Sequence, residues 1–68
     1  MLESQQQIIR LAAVIALTGL SRSSIYLLLS KDEFPARIRL TSRSMGWLLT
    51  EVETWIAGRV AARGEVQS

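Results

Sequence analysis

Sixty-eight residues, 49% of them apolar and together carrying a net charge of +2, make one small domain whose core is marginal unless its interior is unusually apolar or a partner helps. No cysteine and no histidine occurs, which removes disulfide staples, thiolate and imidazole chemistry and the common zinc frameworks together. No enzyme, cofactor, metal or small-molecule substrate is therefore expected. The longest apolar run, Leu11 to Leu17, falls well short of the roughly 20 residues that cross a bilayer, so no membrane partner is expected either.

Met1 to Gln7 is polar and unpatterned and is expected to fray, while Ile8-Ile9-Arg10-Leu11 reads as a short strand joining the domain. Arg10 and the apolar run behind it imitate a secretion signal. Glu3 and Gln5-Gln6-Gln7 precede them, however, and no small-residue cleavage site follows cleanly, so a cytoplasmic location is expected. Ala12 to Leu17 contains no breaker and forms the first helix, with Leu11, Val14 and Leu17 as its buried side, ending before Gly19.

Gly19 permits a tight reversal, Leu20 fills the angle between two helices, and the Ser21 side chain can accept a backbone N–H at a new helix start. The second helix spans residues 21–31, with Ile25, Leu28 and Leu29 on one face and Arg22, Ser23 and Tyr26 turned elsewhere. Leu27 falls outside the apolar stripe and is expected to be partly exposed. Lys31 suits the dipole at the helix end, and Asp32-Glu33 lead into a loop. Phe34-Pro35 then stops helical propagation, because proline lacks the donor and drives the preceding residue into extended geometry.

Ala36 to Leu40 alternates with period two, placing Ile38 and Leu40 on one face and Arg37 and Arg39 on the other. Thr41 to Ser44 supplies a turn, and Met45 to Leu49 alternates again with Met45, Trp47 and Leu49 together, so residues 36–49 read as a β-hairpin with Arg43 at its tip. Thr50-Glu51-Val52-Glu53 has capping-box form and opens the third helix. Val52, Trp55, Ile56 and Val60 follow its core spacing, Gly64 marks its end, and residues 65–68 are expected to be loose, which bounds the domain at 8–64. Trp47, Trp55 and Phe34 are expected core anchors. The capping role accounts for Glu51 and Glu53, which have no catalytic companions.

Charge is unevenly distributed. From Arg10 to Leu48, six basic residues (Arg10, Arg22, Lys31, Arg37, Arg39, Arg43) oppose Asp32 and Glu33, a surplus of +4, whereas the rest of the chain sums to −2. A polyanion would approach the middle of the chain and avoid the last helix. Two helices, a basic hairpin and a third helix outline a mainly α fold with a small β-hairpin, the winged helix-turn-helix. In that fold the second helix enters the major groove of double-stranded DNA and the hairpin touches flanking backbone. Arg22, at the first turn of that helix, can reach guanine edges or a phosphate with two aligned donors. Ser23 and Ser24 suit backbone phosphate, Tyr26 lies on the same helix, and Lys31, Arg37, Arg39 and Arg43 complete the expected DNA-binding set, the arginines of the hairpin as phosphate contacts.

Gly19-Leu20-Ser21-Arg22-Ser23-Ser24-Ile25-Tyr26, then Phe34-Pro35, Arg43, Gly46-Trp47 and Glu51-Val52-Glu53-Thr54-Trp55-Ile56 together resemble the AlpA family of phage-type regulators, over about Ile9 to Arg59. The resemblance implies an excisionase-like winged helix related to MerR DNA-binding domains. It implies a bacterial, often prophage-borne protein, nucleoid-associated when bound, that controls transcription of an integrase or neighbouring gene and sometimes promotes excision. Where the family often carries a basic residue, this chain has Leu27, Ser30 and Leu48. A single module of this size offers roughly 600–1,000 Å² of interface, so a homodimer or cooperative tandem binding is expected, with an integrase or RNA polymerase as protein contacts. Two rival readings remain: an excisionase-like recombination directionality factor that bends attachment-site DNA, and a small protein-binding adaptor or antitoxin-like module using Leu27, Leu48 and the last helix.

Overall fold

A computed structural model describes residues 6–66; residues 1–5 of the expected frayed N-terminus and 67–68 of the expected loose C-terminus lie outside that range. Its elements run β1 (Ile8–Ile9), α1 (Leu11–Thr18), α2 (Arg22–Ser30), β2 (Ile38–Arg39), β3 (Met45–Leu48) and α3 (Leu49–Val66). Among the described residues, no single helix is long and apolar enough to cross a membrane.

The corner between α1 and α2 is built as its residues dictate. Gly19 takes φ 75° and its N–H donates to the Ile15 carbonyl at 2.8 Å, a left-handed cap that a side chain would disfavour. The Thr18 hydroxyl donates to the Val14 carbonyl at 2.8 Å and accepts the Leu20 N–H at 3.2 Å, fixing the two turn residues. Ser21 sits in extended geometry and its Oγ accepts the Ser24 N–H at 3.1 Å, as its place before α2 requires. The two helices meet at 97°, within the range of helix-turn-helix pairs.

The small β component differs from a two-stranded hairpin. β3 lies at the centre of a three-stranded antiparallel sheet of order β1-β3-β2, with Ile8 opposite Leu48, Ile9 opposite Trp47, Ile38 opposite Gly46 and Arg39 opposite Met45. Gly46 makes this possible: a Cβ there would lie 2.6 Å from Ile8 Cγ2 and 2.8 Å from the Ile9 carbonyl, so only glycine lets β1 approach. The Leu49 N–H donates to the Gln7 carbonyl at 2.8 Å, which ties Gln7 into the domain rather than leaving it frayed. Arg10 and Leu11 leave the strand, because α1 already starts at Leu11.

The core consists of Ile9, Val14, Ile25, Phe34, Trp47 and Val52, with Leu28, Leu29, Trp55 and Ile56 packed partly against it. Phe34 stacks edge-on against Trp47 (centroids 6.3 Å apart) and Trp55 (4.8 Å). Both indole N–H groups hold the loop around Phe34, Trp47 donating to the Pro35 carbonyl at 3.0 Å and Trp55 to the Glu33 carbonyl at 2.9 Å. Buried or half-buried rings thus keep their polar edges satisfied. Ahead of this loop, α2 ends in a Schellman arrangement without glycine: Glu33 N–H donates to Leu28, Asp32 N–H to Leu29, and Asp32 itself adopts φ 59°.

Several sequence expectations are corrected. Leu17 is 46% exposed, because three residues beyond Val14 the helix has turned it away from the core line, while Thr18, one residue further, faces the corner. β2 is two residues long and Leu40 is exposed, the chain already turning so that Leu40 N–H meets the Ser44 carbonyl. α3 begins at Leu49, so Leu49 leaves the alternating face of β3 and Thr50 lies inside the helix, where it cannot serve as the extended capping residue. Val60 is 51% exposed, since the body of the domain ends near Ile56. α3 also continues to Val66, past Gly64 and through residue 65, where the helix end and a loose tail are expected from sequence.

Candidate nucleic-acid interface

Three chain segments converge on one concave face. The start of α1 contributes Arg10, α2 contributes Arg22 and Tyr26, and the approach to β2 and the hairpin turn contribute Arg37 and Arg43. Together they line a hollow of about 450 Å³ floored by Met45 and Trp47. Arg22 reaches it because Ser21 caps α2 and leaves its first turn facing outward. Arg43 reaches it because the Thr41 hydroxyl accepts the Arg43 N–H at 3.1 Å, within a turn closed by Leu40 and Ser44. The Arg37 guanidinium lies 5.7 Å from the Tyr26 ring centroid, a cation–π contact that orients both side chains across the hollow and contributes about 0.5–1 kcal/mol at an exposed site.

A second hollow of about 360 Å³ adjoins the first, sharing Arg37 and Met45 and adding Arg39 and Asp32. The basic surface therefore runs continuously from the start of α1 across α2 to β2. Arg10 is its member that residue spacing did not single out. The signal was present only in the charge count, since Arg10 stands at the start of α1, away from α2 and the hairpin in sequence, and reaches the face through the β1–β3 pairing that places α1.

The other expected contacts are placed differently. Ser23 is exposed on α2 and Ser24 is half-buried, its N–H and hydroxyl both engaged with Ser21 Oγ (3.1 and 3.0 Å). Ser24 thus serves the helix start. Lys31 is exposed at the α2 C-cap, and none of these three lines either hollow. Leu27 is exposed, as expected. Among the described residues, no group of three or more His, Cys, Asp or Glu side chains gathers to hold a metal ion.

Three helices with a right-angled α1–α2 corner and a small antiparallel sheet define a small domain of helix-turn-helix type. Residues 7–60 match the family described as Prophage CP4-57 regulatory protein (AlpA), and the chain belongs to that family. It is 45% identical over 60 residues to the "Uncharacterized protein ORF88" of Enterobacteria phage P4, covering 88% of this chain and 68% of that protein. It is 36% identical over 62 residues to the "DNA-binding transcriptional activator AlpA" of Escherichia coli (strain K12), covering 82% of this chain and 89% of the relative.

Proposed function

We propose that this protein is a sequence-specific regulator of transcription, of prophage type, that binds double-stranded DNA. In this reading α2 enters the major groove and residues 36–49 act as a wing against the flanking backbone. The observation that carries it is the convergence of Arg10, Arg22, Arg37 and Arg43 from three separate segments onto one face, with a family relative named as a DNA-binding activator in support. Cations spaced along such a face match a run of phosphates, and only Arg22 projects from the helix start that a major groove admits. The mechanism is occupancy: the bound protein recruits or blocks other factors at a bacterial promoter, with no chemistry on the DNA, and the protein works in the cytoplasm.

Selection from random duplexes tests it, followed by binding titrations at several salt concentrations. A preferred sequence is expected. Arg22→Ala should weaken that sequence by about 1–3 kcal/mol with thermal unfolding unchanged, while Arg43→Ala should weaken all duplexes alike and lower the salt slope by about one. Unchanged affinity in both variants would refute the assigned face.

A further inference from the structure

Among the described residues, nothing packs over the second half of α3. Every residue from 57 to 63 is exposed, because the helix runs on beyond the body. Beside its root lies a mainly apolar groove of about 430 Å³ lined by Thr18, Leu20, Leu28, Trp55, Ile56 and Val60, with the Arg59 guanidinium at its rim, 4.8 Å from the Trp55 ring centroid. Leu17 and Leu27, each adjacent in sequence to a groove residue, are exposed as well. The groove shares no residue with the basic hollow that holds Arg22.

The sequence of α3 says what fits there. Leu49, Glu53, Ile56, Val60 and Arg63 recur at steps of four, three, four and three, the spacing of a coiled-coil seam. Along this stripe a carboxylate lies toward one end, a guanidinium toward the other and two apolar side chains between. Placed antiparallel about a two-fold axis near residue 58, a second copy sets Val60 over Ile56 twice and Glu53 against Arg63 twice. A parallel pair would instead oppose Glu53 to Glu53 and Arg63 to Arg63. An isologous interface must be self-complementary, and only the antiparallel arrangement meets that condition.

We infer that the groove and the outer face of α3 are the site at which two copies of this chain associate, antiparallel through the Glu53–Ile56–Val60–Arg63 stripe. Two helices of this length bury less than the roughly 1,200–2,000 Å² of a standard interface, so the dimer is weak, with a dissociation constant of about 10 µM to 1 mM. The inference is independent of the DNA-binding reading and is measured without DNA.

Sedimentation velocity over a concentration series provides the test. The wild-type chain should pass from monomer to dimer. V60E, at an exposed position, should weaken association at least about tenfold while keeping the helical circular-dichroism spectrum and the melting temperature. E53R and R63E should each weaken it by about fivefold through like-charge opposition, and an equimolar mixture of E53R with R63E should recover it, because both ion pairs are then restored in the heterodimer. A chain still monomeric at roughly 1 mM, a dimer indifferent to V60E, or a mixture of the two charge variants no better than either alone would each overturn the inference.

Discussion

The two sides of α2 stand a helix's width apart and are built on opposite terms. Toward the body, Ile25, Phe34 and Trp47 are shut off from water and two indoles pin the loop around Phe34 through its backbone carbonyls. Toward solvent, Arg22, Tyr26, Arg37 and Arg43 are all exposed and the hairpin tip is held by turn hydrogen bonds alone. In the proposed reading, stability and recognition therefore fall to different residues on one nine-residue helix and its neighbours. Substitutions on the inner side should change folding first, and substitutions on the outer side should change binding with folding untouched.

The largest break of that separation comes from Trp47→Ala. The side chain is 1% exposed, meets Phe34 edge-on and donates to Pro35, and its truncation should destabilise by about 3–5 kcal/mol. A domain of this size has only about 3–10 kcal/mol in total, so urea denaturation followed by circular dichroism should show a largely unfolded chain, and DNA binding should vanish for every sequence together. A folded variant that loses only binding would mean that the inner side takes part in recognition directly. Arg10→Ala probes the outer side from its least expected member. Its guanidinium is exposed at the start of α1 and the backbone carbonyl alone serves the helix, so melting should not move, whereas the salt slope of duplex binding should fall by about one. An unchanged slope would restrict the interface to α2 and the hairpin.

Much of this arrangement is legible in the sequence where one residue carries a decisive local preference. Gly19 and Ser21 specify the corner, Phe34-Pro35 specifies the break, and the alternation around Trp47 specifies a strand with that indole in the core. Legibility fails where a preference is decided by a distant partner. Nothing near Gly46 announces that Ile8 and Ile9 will lie against it, so the pairing of β1 with β3 and the arrival of Arg10 at the basic face follow only from the assembled sheet. The Thr50-Glu51-Val52-Glu53 pattern is a genuine local signal overridden by tertiary structure: the Gln7 carbonyl takes the Leu49 N–H and the helix starts early. Val60 keeps core spacing on a helix that outruns the core, because periodicity reports which residues share a face and is silent on what lies opposite. At the basic face, charge counting picked out the arginines, but Ser24 is absorbed by the cap of its own helix.

Asp32 joins the two sides and gives the smallest expected effect. It closes α2 in the left-handed region, φ 59°, a conformation costing L-residues roughly 1–2 kcal/mol and aspartate somewhat less. Its charge also sits by the negative end of the helix dipole. Asp32→Gly relieves both and gives back some unfolded-state entropy, for a net gain of about 1 kcal/mol, read as a rise in melting temperature of roughly 4–8 °C. Asp32→Asn tolerates the same backbone and removes only the charge, so its smaller rise isolates the dipole contribution. Because Asp32 also lines the hollow shared by Arg37 and Arg39, both variants should bind duplex DNA more tightly at low salt, with the difference fading as salt screens it. Stabilisation without any gain in binding would separate this second hollow from the path of the DNA and confine recognition to the one holding Arg22.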